Sequence, residues 1–430
     1  MNRRKFLLNS GLALGASSVL PLPSYASNDP VPDDDWLGVR AQFPLHADYI
    51  HMAQMLFAAH PKPVRDAIEM YHREFDQHPV LFWEDNWIPA IEKVKASAAG
   101  YLQADPEEIA LTDSTTMGLG ILYSGLKLNS EDEILTTTHD HYSSEKALEF
   151  AAQKNGASIR RISLYDDPAK ASVDEIVERL GQAIGQSTRI VAVTWVHSCT
   201  GVKLPIRAMA DVIKSRNADR DSSDRIYFCV DGVHGFGVED ITMESLGCDF
   251  FAAGTHKWLF GPRGTGILWG KRDAWHMMTP TIPAFREAPY GMWMGLEPEG
   301  EVSFSDLHSP GGFHAYEHRW ALNEAFDFHM KIGKDKIEIR THQLNQMMKD
   351  GLSEMKHVNL HTPHSMEISS GINCFEVSGM KPQDVVDKLY ERKIIASTSP
   401  YRVSYPRLTP CIINTEDEVL KALKVMESLA

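Results

Sequence analysis

The sequence predicts an α/β protein in two lobes: a large domain on a mainly parallel sheet with helices on both faces, and a smaller C-terminal α+β domain. Two observations carry this. Between residues 133 and 269, short β-rich apolar runs alternate with longer helical patterns, as in strands joined by helical crossovers. The 430 residues, 43% hydrophobic and 23% charged, are enough for a large core and a second, smaller one.

Taken in order, residues 1–26 read as an export signal. Arg3-Arg4 precedes Lys5-Phe6-Leu7, an apolar stretch follows from about Leu12 to Leu22, and Ser24-Tyr25-Ala26 offers a small-residue cleavage site. This resembles a twin-arginine (Tat) signal. The apolar stretch is too short and too rich in Gly, Ala and Ser to predict a stable membrane span. The expected mature protein is periplasmic, carried out folded by the Tat machinery.

Residues 27–48 form a lead-in, Pro- and Asp-rich from Asn28 to Asp35, with the folded part beginning near Trp36. The large domain is expected over 49–314, with strands at 133–138, 158–164, 189–196, 225–230, 249–253 and 266–269. A linking helical segment at 315–355, broken near Gly333, opens the small domain of residues 315–430. That domain continues with a strand at 371–377, a turn at Gly379, a helix at 382–392, further strands through Leu408, and a last helix capped by Asn414 or Thr415.

The net charge of −15 and the lack of a basic stripe argue against a nucleic-acid partner. Five cysteines, at 199, 229, 248, 374 and 411, show neither CxxC pairing nor zinc spacing, so no disulfide framework is expected.

In open α/β sheets, ligands bind beyond the carboxyl ends of strands. Four predicted strands deliver polar side chains there: one runs into His139-Asp140-His141, one into His197-Ser198, one into Asp231, and one into Thr255-His256-Lys257. Upstream, Ser114-Thr115-Thr116 opens a helical pattern through Tyr123. Its first turn offers hydroxyls and free N–H groups suited to a phosphate, although alone it is equally a good N-cap. His139-x-His141 also suggests a metal, but no third ligand stands at zinc spacing, so none is expected.

Val230-Asp231-Gly232-Val233-His234, followed by Gly254-Thr255-His256-Lys257-Trp258-Leu259-Phe260-Gly261-Pro262-Arg263-Gly264-Thr265-Gly266, is similar to the D-G-x-[QH] and H-K-x-x-x-G-P-x-G-x-G signature of class V aminotransferase-fold enzymes. The resemblance runs from about Tyr49 to the C-terminus. It implies a fold type I, pyridoxal-5′-phosphate-dependent enzyme with a seven-stranded sheet, a homodimer with its sites near the interface, and a small amino-acid or peptidic substrate.

By the same resemblance, Lys257 forms the Schiff base, Asp231 pairs with the pyridine nitrogen, and His141 stacks on the ring. Thr115, Thr116, His256 and Thr255 fall at phosphate positions. His234 falls at the position that contacts the cofactor near its phenolic oxygen, and Ser198 stands where the desulfurase branch has asparagine. Gly312 lies where the family reaches the phosphate of a neighbouring subunit. Arg407 matches the arginine that grips the substrate carboxylate, with Arg402 the competing candidate.

The reaction stays open between aminotransfer, epimerisation and C–S lysis, with a non-catalytic scaffold as the rival. The stretch matching the desulfurase nucleophile loop, 394–401, has no cysteine. The 200–206 and 255–264 stretches look more like the isopenicillin N epimerase-like branch, and the export signal adds a resemblance to periplasmic enzymes of pyoverdine maturation.

Overall fold

The computed structural model describes residues 35–298, 300 and 302–429; the signal expected over 1–26 lies outside them. A short strand β1 (Ile50–His51) stands apart from seven that build one sheet: β2 (Ile109–Thr112), β3 (Glu133–Thr137), β4 (Ser158–Ile162), β5 (Thr188–Thr194), β6 (Tyr227–Asp231), β7 (Phe250–Gly254) and β8 (Gly266–Gly270). Their order is β2-β8-β7-β6-β5-β3-β4. Side chains alternate faces along a strand, and here both faces are covered. In β5, Val191 and Val193 join one core while Ile190 and Ala192 join the other. A strand buried on both sides reads as one continuous apolar run.

Five strands, β3 to β7, pair in parallel, whereas β8 runs antiparallel to both β7 and β2. Only residues 255–265 separate β7 from β8, which is too short for the helical crossover a parallel neighbour needs. That tight reversal holds Lys257. β2 was not among the expected strands: its four buried residues are too few for a period to be read. It ends at Thr112, and the helix Thr115–Gly125 follows, capped by the Ser114 hydroxyl, which accepts from the Met117 N–H at 3.1 Å.

The expected linking segment is three helices, Tyr316–Trp320, Leu322–Ile332 and Lys334–Glu354, broken at Gly333 with φ +102. The last of them joins the cores, Ile337 packing in the large one and Leu344, Met348 and Leu352 in the small one. The small domain holds β9 (Val358–Leu360), β10 (Asn373–Val377), β11 (Ile394–Ile395), β12 (Ser397–Thr398) and β13 (Pro406–Leu408), with an antiparallel sheet in the order β12-β13-β10-β9. β1 pairs with β11, and Met52 sits in the small core, so the beginning of the segment assigned to the large domain packs with the C-terminal one. Thr415 caps the last helix, Glu416–Glu427, in a capping box with Glu418. Asn414 instead donates to the His51 carbonyl at 3.1 Å.

Candidate active site

The strand order reverses beside β3, and the loops after β3, β5, β6 and β7 converge at the carboxyl edge of the sheet, where such folds place ligands. Asp231 closes β6 and is 2% exposed. Its carboxylate accepts from Ser144 Oγ at 3.0 Å and from the Val233 N–H at 3.2 Å. Burial raises its pKa to about 6, against these two donors and the charge of Lys257.

Lys257 lies in the β7–β8 reversal with its Nζ 3.2 Å from His234 Nε2. Burial lowers its pKa to about 8, with Arg407 pushing the same way and Asp231 opposing. No carboxylate forms an ion pair with it among the described residues. A lysine held in this way gives up its proton far more readily than an exposed one, so that a fraction is free amine at neutral pH, the form that acts as nucleophile or proton acceptor.

His141 caps the helix Tyr142–Asn155, its Nδ1 accepting from the Ser143 N–H at 3.3 Å and lying 2.8 Å from Ser143 Oγ. Burial, then Lys257 and Arg407, lower its pKa, so the ring is neutral and apolar enough to stack on a flat ligand. Tyr401 lies edge-on to it at 5.9 Å and pairs with Ser198 Oγ at 2.8 Å.

Arg407 on β13 is 1% exposed, whereas Arg402 is exposed. The Arg407 guanidinium donates to Ser397 Oγ at 3.2 Å, the Ser198 carbonyl at 3.0 Å and the Thr398 carbonyl at 2.8 Å. All three acceptors are neutral, and no carboxylate pairs with it among the described residues. Of its five N–H groups, one on each terminal nitrogen remains free, the fork that a carboxylate fits.

A third cluster surrounds the end of β7. Thr115 Oγ1 accepts from the Gly254 N–H at 2.7 Å, leaving its own hydrogen to donate. His256 Nδ1 is buried without a partner, and Thr116 is exposed on the first turn of the helix. A Cβ on Gly254 would lie 2.9 Å from Thr115 Oγ1 and 3.0 Å from the His256 ring, so only glycine lets these donors meet. With the free N–H groups of the helix start, they suit a phosphate.

One expected residue does not join this cluster. Thr265 donates to the Pro262 carbonyl, so the Thr255 hydroxyl beside it must donate to Thr265 and has no hydrogen left for an anion. Gly312, expected at the phosphate of a neighbouring subunit and not of its own, lies in the loop before Tyr316, its carbonyl accepting from the Tyr316 hydroxyl at 3.2 Å. His139 turns away from His141, stacking on Tyr165 at 4.0 Å and accepting from the Leu164 N–H at 3.3 Å. The group Glu239, Glu338 and His342 is internally satisfied, Glu239 pairing with Lys203 at 2.6 Å and His342 at 2.9 Å.

Three participants escaped the sequence reading: Ser144, Trp258 and Tyr401. Ser144 stands on the first turn after His141, and Trp258 adjoins Lys257, so proximity to the motifs was their available signal. Tyr401 had none, because it reaches the site from the other domain. All five cysteines are free and buried, and burial raises the Cys199 thiol to about 11, so none is poised as a thiolate.

Residues 58–409 match the family described as aminotransferase class-V. An isopenicillin N epimerase from Amycolatopsis lactamdurans is 25% identical over 92% of this chain and 98% of its own length. A cysteine desulfurase from Pectobacterium atrosepticum is 25% identical over 76% of this chain and 79% of its own. Among solved structures, a cystine C–S lyase in complex with cysteine persulfide superposes with a TM-score of 0.79 at 22% identity, covering 90% of this chain and 99% of that one. The cysteine desulfurase of Thermococcus onnurineus gives 0.78 at 21%, covering 94% and 99%.

Proposed function

We propose, for a chain that belongs to the class V aminotransferase family, that it is a pyridoxal-phosphate enzyme acting on the amino group or Cα of an amino-acid-type substrate, by aminotransfer or epimerase-like chemistry. The observation that carries this is Arg407: a buried guanidinium bonded only to neutral acceptors, whose charge is felt at Lys257, His141 and His234. A buried cation without an anionic partner is costly, and a substrate carboxylate beside Lys257 would relieve it.

When bound, pyridoxal phosphate supplies an aldehyde for covalent linkage and a protonated ring that takes up electron density from Cα. Thr115, Thr116, His256 and the helix N-terminus would hold its phosphate. Asp231, its carboxylate held in place by Ser144 and the Val233 N–H, would supply a negative charge to the ring nitrogen. His141 would cover the ring face, and His234 and Ser198 would lie beside its edge. Arg407 orients the substrate through its carboxylate, and the Lys257 amine takes or returns the Cα proton.

Incubating the full chain with amino acids and peptidic siderophore precursors in deuterated water tests this. An amino group retained on the cofactor means transamination; deuterium at Cα with unchanged cofactor means epimerisation. Release of pyruvate or sulfide means the second reading, a C–S lyase, which the desulfurase relative favours and which needs no reactive cysteine. No reaction with any amino compound would leave a scaffold and remove the enzyme assignment.

The site functions in a homodimer, and large apolar side chains favour that: Trp293 is 80% exposed and Phe313, beside Gly312, 82%. The enzyme acts in the periplasm, on a siderophore precursor, after Tat export; Arg3-Arg4 and the Ala26 cleavage site support this. Replacing both arginines with lysine is expected to leave cofactor-loaded, unprocessed protein in the cytoplasm, read by cell fractionation. Unchanged export would point to another route.

A further inference from the structure

We propose that Trp258 is a positioning residue of the Lys257 site: its indole N–H fixes His234 in the tautomer that carries its proton on Nε2, so that His234 donates to Lys257 and favours its amine form over its ammonium. This rests on the reading of Lys257 as the cofactor lysine, and it follows from two contacts. Trp258 Nε1 donates to His234 Nδ1 at 3.2 Å. An indole N–H can only donate, so Nδ1 keeps its lone pair, and a neutral imidazole then carries its one proton on Nε2.

His234 Nε2 lies 3.2 Å from Lys257 Nζ. An N–H aimed at Nζ needs an acceptor there, which an amine is and an ammonium is not. Burial first, then the charges of Lys257 and Arg407, keep His234 neutral. The groups facing Lys257 pull in opposite directions: burial and Arg407 oppose its protonation, and Asp231 favours it. In the opposite tautomer, Nε2 would accept from an ammonium and stabilise the charged lysine instead.

Trp258 is anchored for this task. It is 3% exposed, and a Cβ on Gly371, at the start of the small-domain strand region, would come within 2.6 Å of its ring. The small domain thus holds the indole that orients the histidine.

Two measurements on the cofactor-free full chain test the proposal. Nitrogen-15 NMR of the wild type, with His234 identified by the signal lost in His234→Ala, should show the proton on Nε2; a proton on Nδ1 overturns the proposal without any variant of Trp258. Competitive labelling with acetic anhydride against pH, read on the Lys257 peptide by mass spectrometry, should give a midpoint near 8. In Trp258→Phe the midpoint should rise by about one pH unit, a ~tenfold loss of free amine at pH 7. In the His234→Ala background the same change should shift nothing further, because no ring remains to orient. An equal shift in both backgrounds would make Trp258 a packing residue and overturn the proposal. Borohydride reduction of the loaded protein, placing the pyridoxyl group on Lys257 or on another lysine, tests the underlying reading separately.

Discussion

Lys257→Ala is expected to abolish turnover, by at least ~10²–10⁴-fold, since a positioned proton-transfer group alone contributes that much and the covalent link is lost as well. Borohydride then leaves no pyridoxyl group on the 254–266 peptide. Residual turnover within tenfold of the wild type would show that another residue carries the chemistry. The same lysine has an opposite effect on stability. Its pKa falls from the usual 10.5 to about 8 on burial, and a shift of that size corresponds to roughly 3 kcal/mol at most.

The sign follows from proton counting. Between pH 8 and 10.5 the unfolded chain binds more protons at this site than the folded one, so folded stability rises with pH across that window. Below pH 8 the penalty for a buried ammonium is fully present. Lys257→Met, similar in length and without charge, is therefore expected to raise the melting temperature of the cofactor-free protein at pH 7, with the gain shrinking towards pH 10. Melting curves of the two proteins at pH 7 and pH 10 decide it; a gain independent of pH would come from packing instead.

Much of the site was legible because its parts lie at strand ends, and a buried strand ending in a charge stands out locally. Asp231, His141 and Lys257 were found this way, the apolar runs before them marking β6, β3 and β7. The relations between strands were not legible. Nothing local in Thr255 distinguishes it from Thr115, yet one hydroxyl is committed to Thr265 and the other stands at the helix start. The choice depends on how the reversal before β8 folds back. Tyr401 was invisible for a similar reason: its place beside His141 is set by packing of the small domain, which no short window reports. β1 shows the limit most plainly, since two residues near the start pair with Ile394–Ile395, a long-range contact with no local pattern. The arginine pair was ambiguous in sequence and differs sharply in the fold, because β13 turns Arg407 inward while the loop before it leaves Arg402 in solvent.

That difference in burial sets the expected outcome at the two arginines. Arg407 has two N–H groups free for a carboxylate, and hydrogen bonds to a charged partner are worth roughly 1.5–3 kcal/mol each. Losing both should lower kcat/KM by ~10²–10⁴-fold at 1.4 kcal/mol per decade. KM should rise and kcat should fall, because the carboxylate both binds the substrate and sets the angle of the Cα–H bond. Arg407→Lys keeps a charge but loses the planar fork, so its loss should be intermediate. Arg402→Ala, on an exposed loop, should stay within about threefold of the wild type. The Ser198 and Thr398 carbonyls lose their donor in Arg407→Ala, so a folding defect must be told apart from a binding defect. Visible absorbance of the bound cofactor does this, since neither carbonyl belongs to the phosphate cluster. Retained cofactor with a collapsed kcat/KM supports the carboxylate role. Unchanged kcat/KM in Arg407→Ala, or a larger loss in Arg402→Ala, would move the carboxylate elsewhere and take with it the observation on which the substrate class rests.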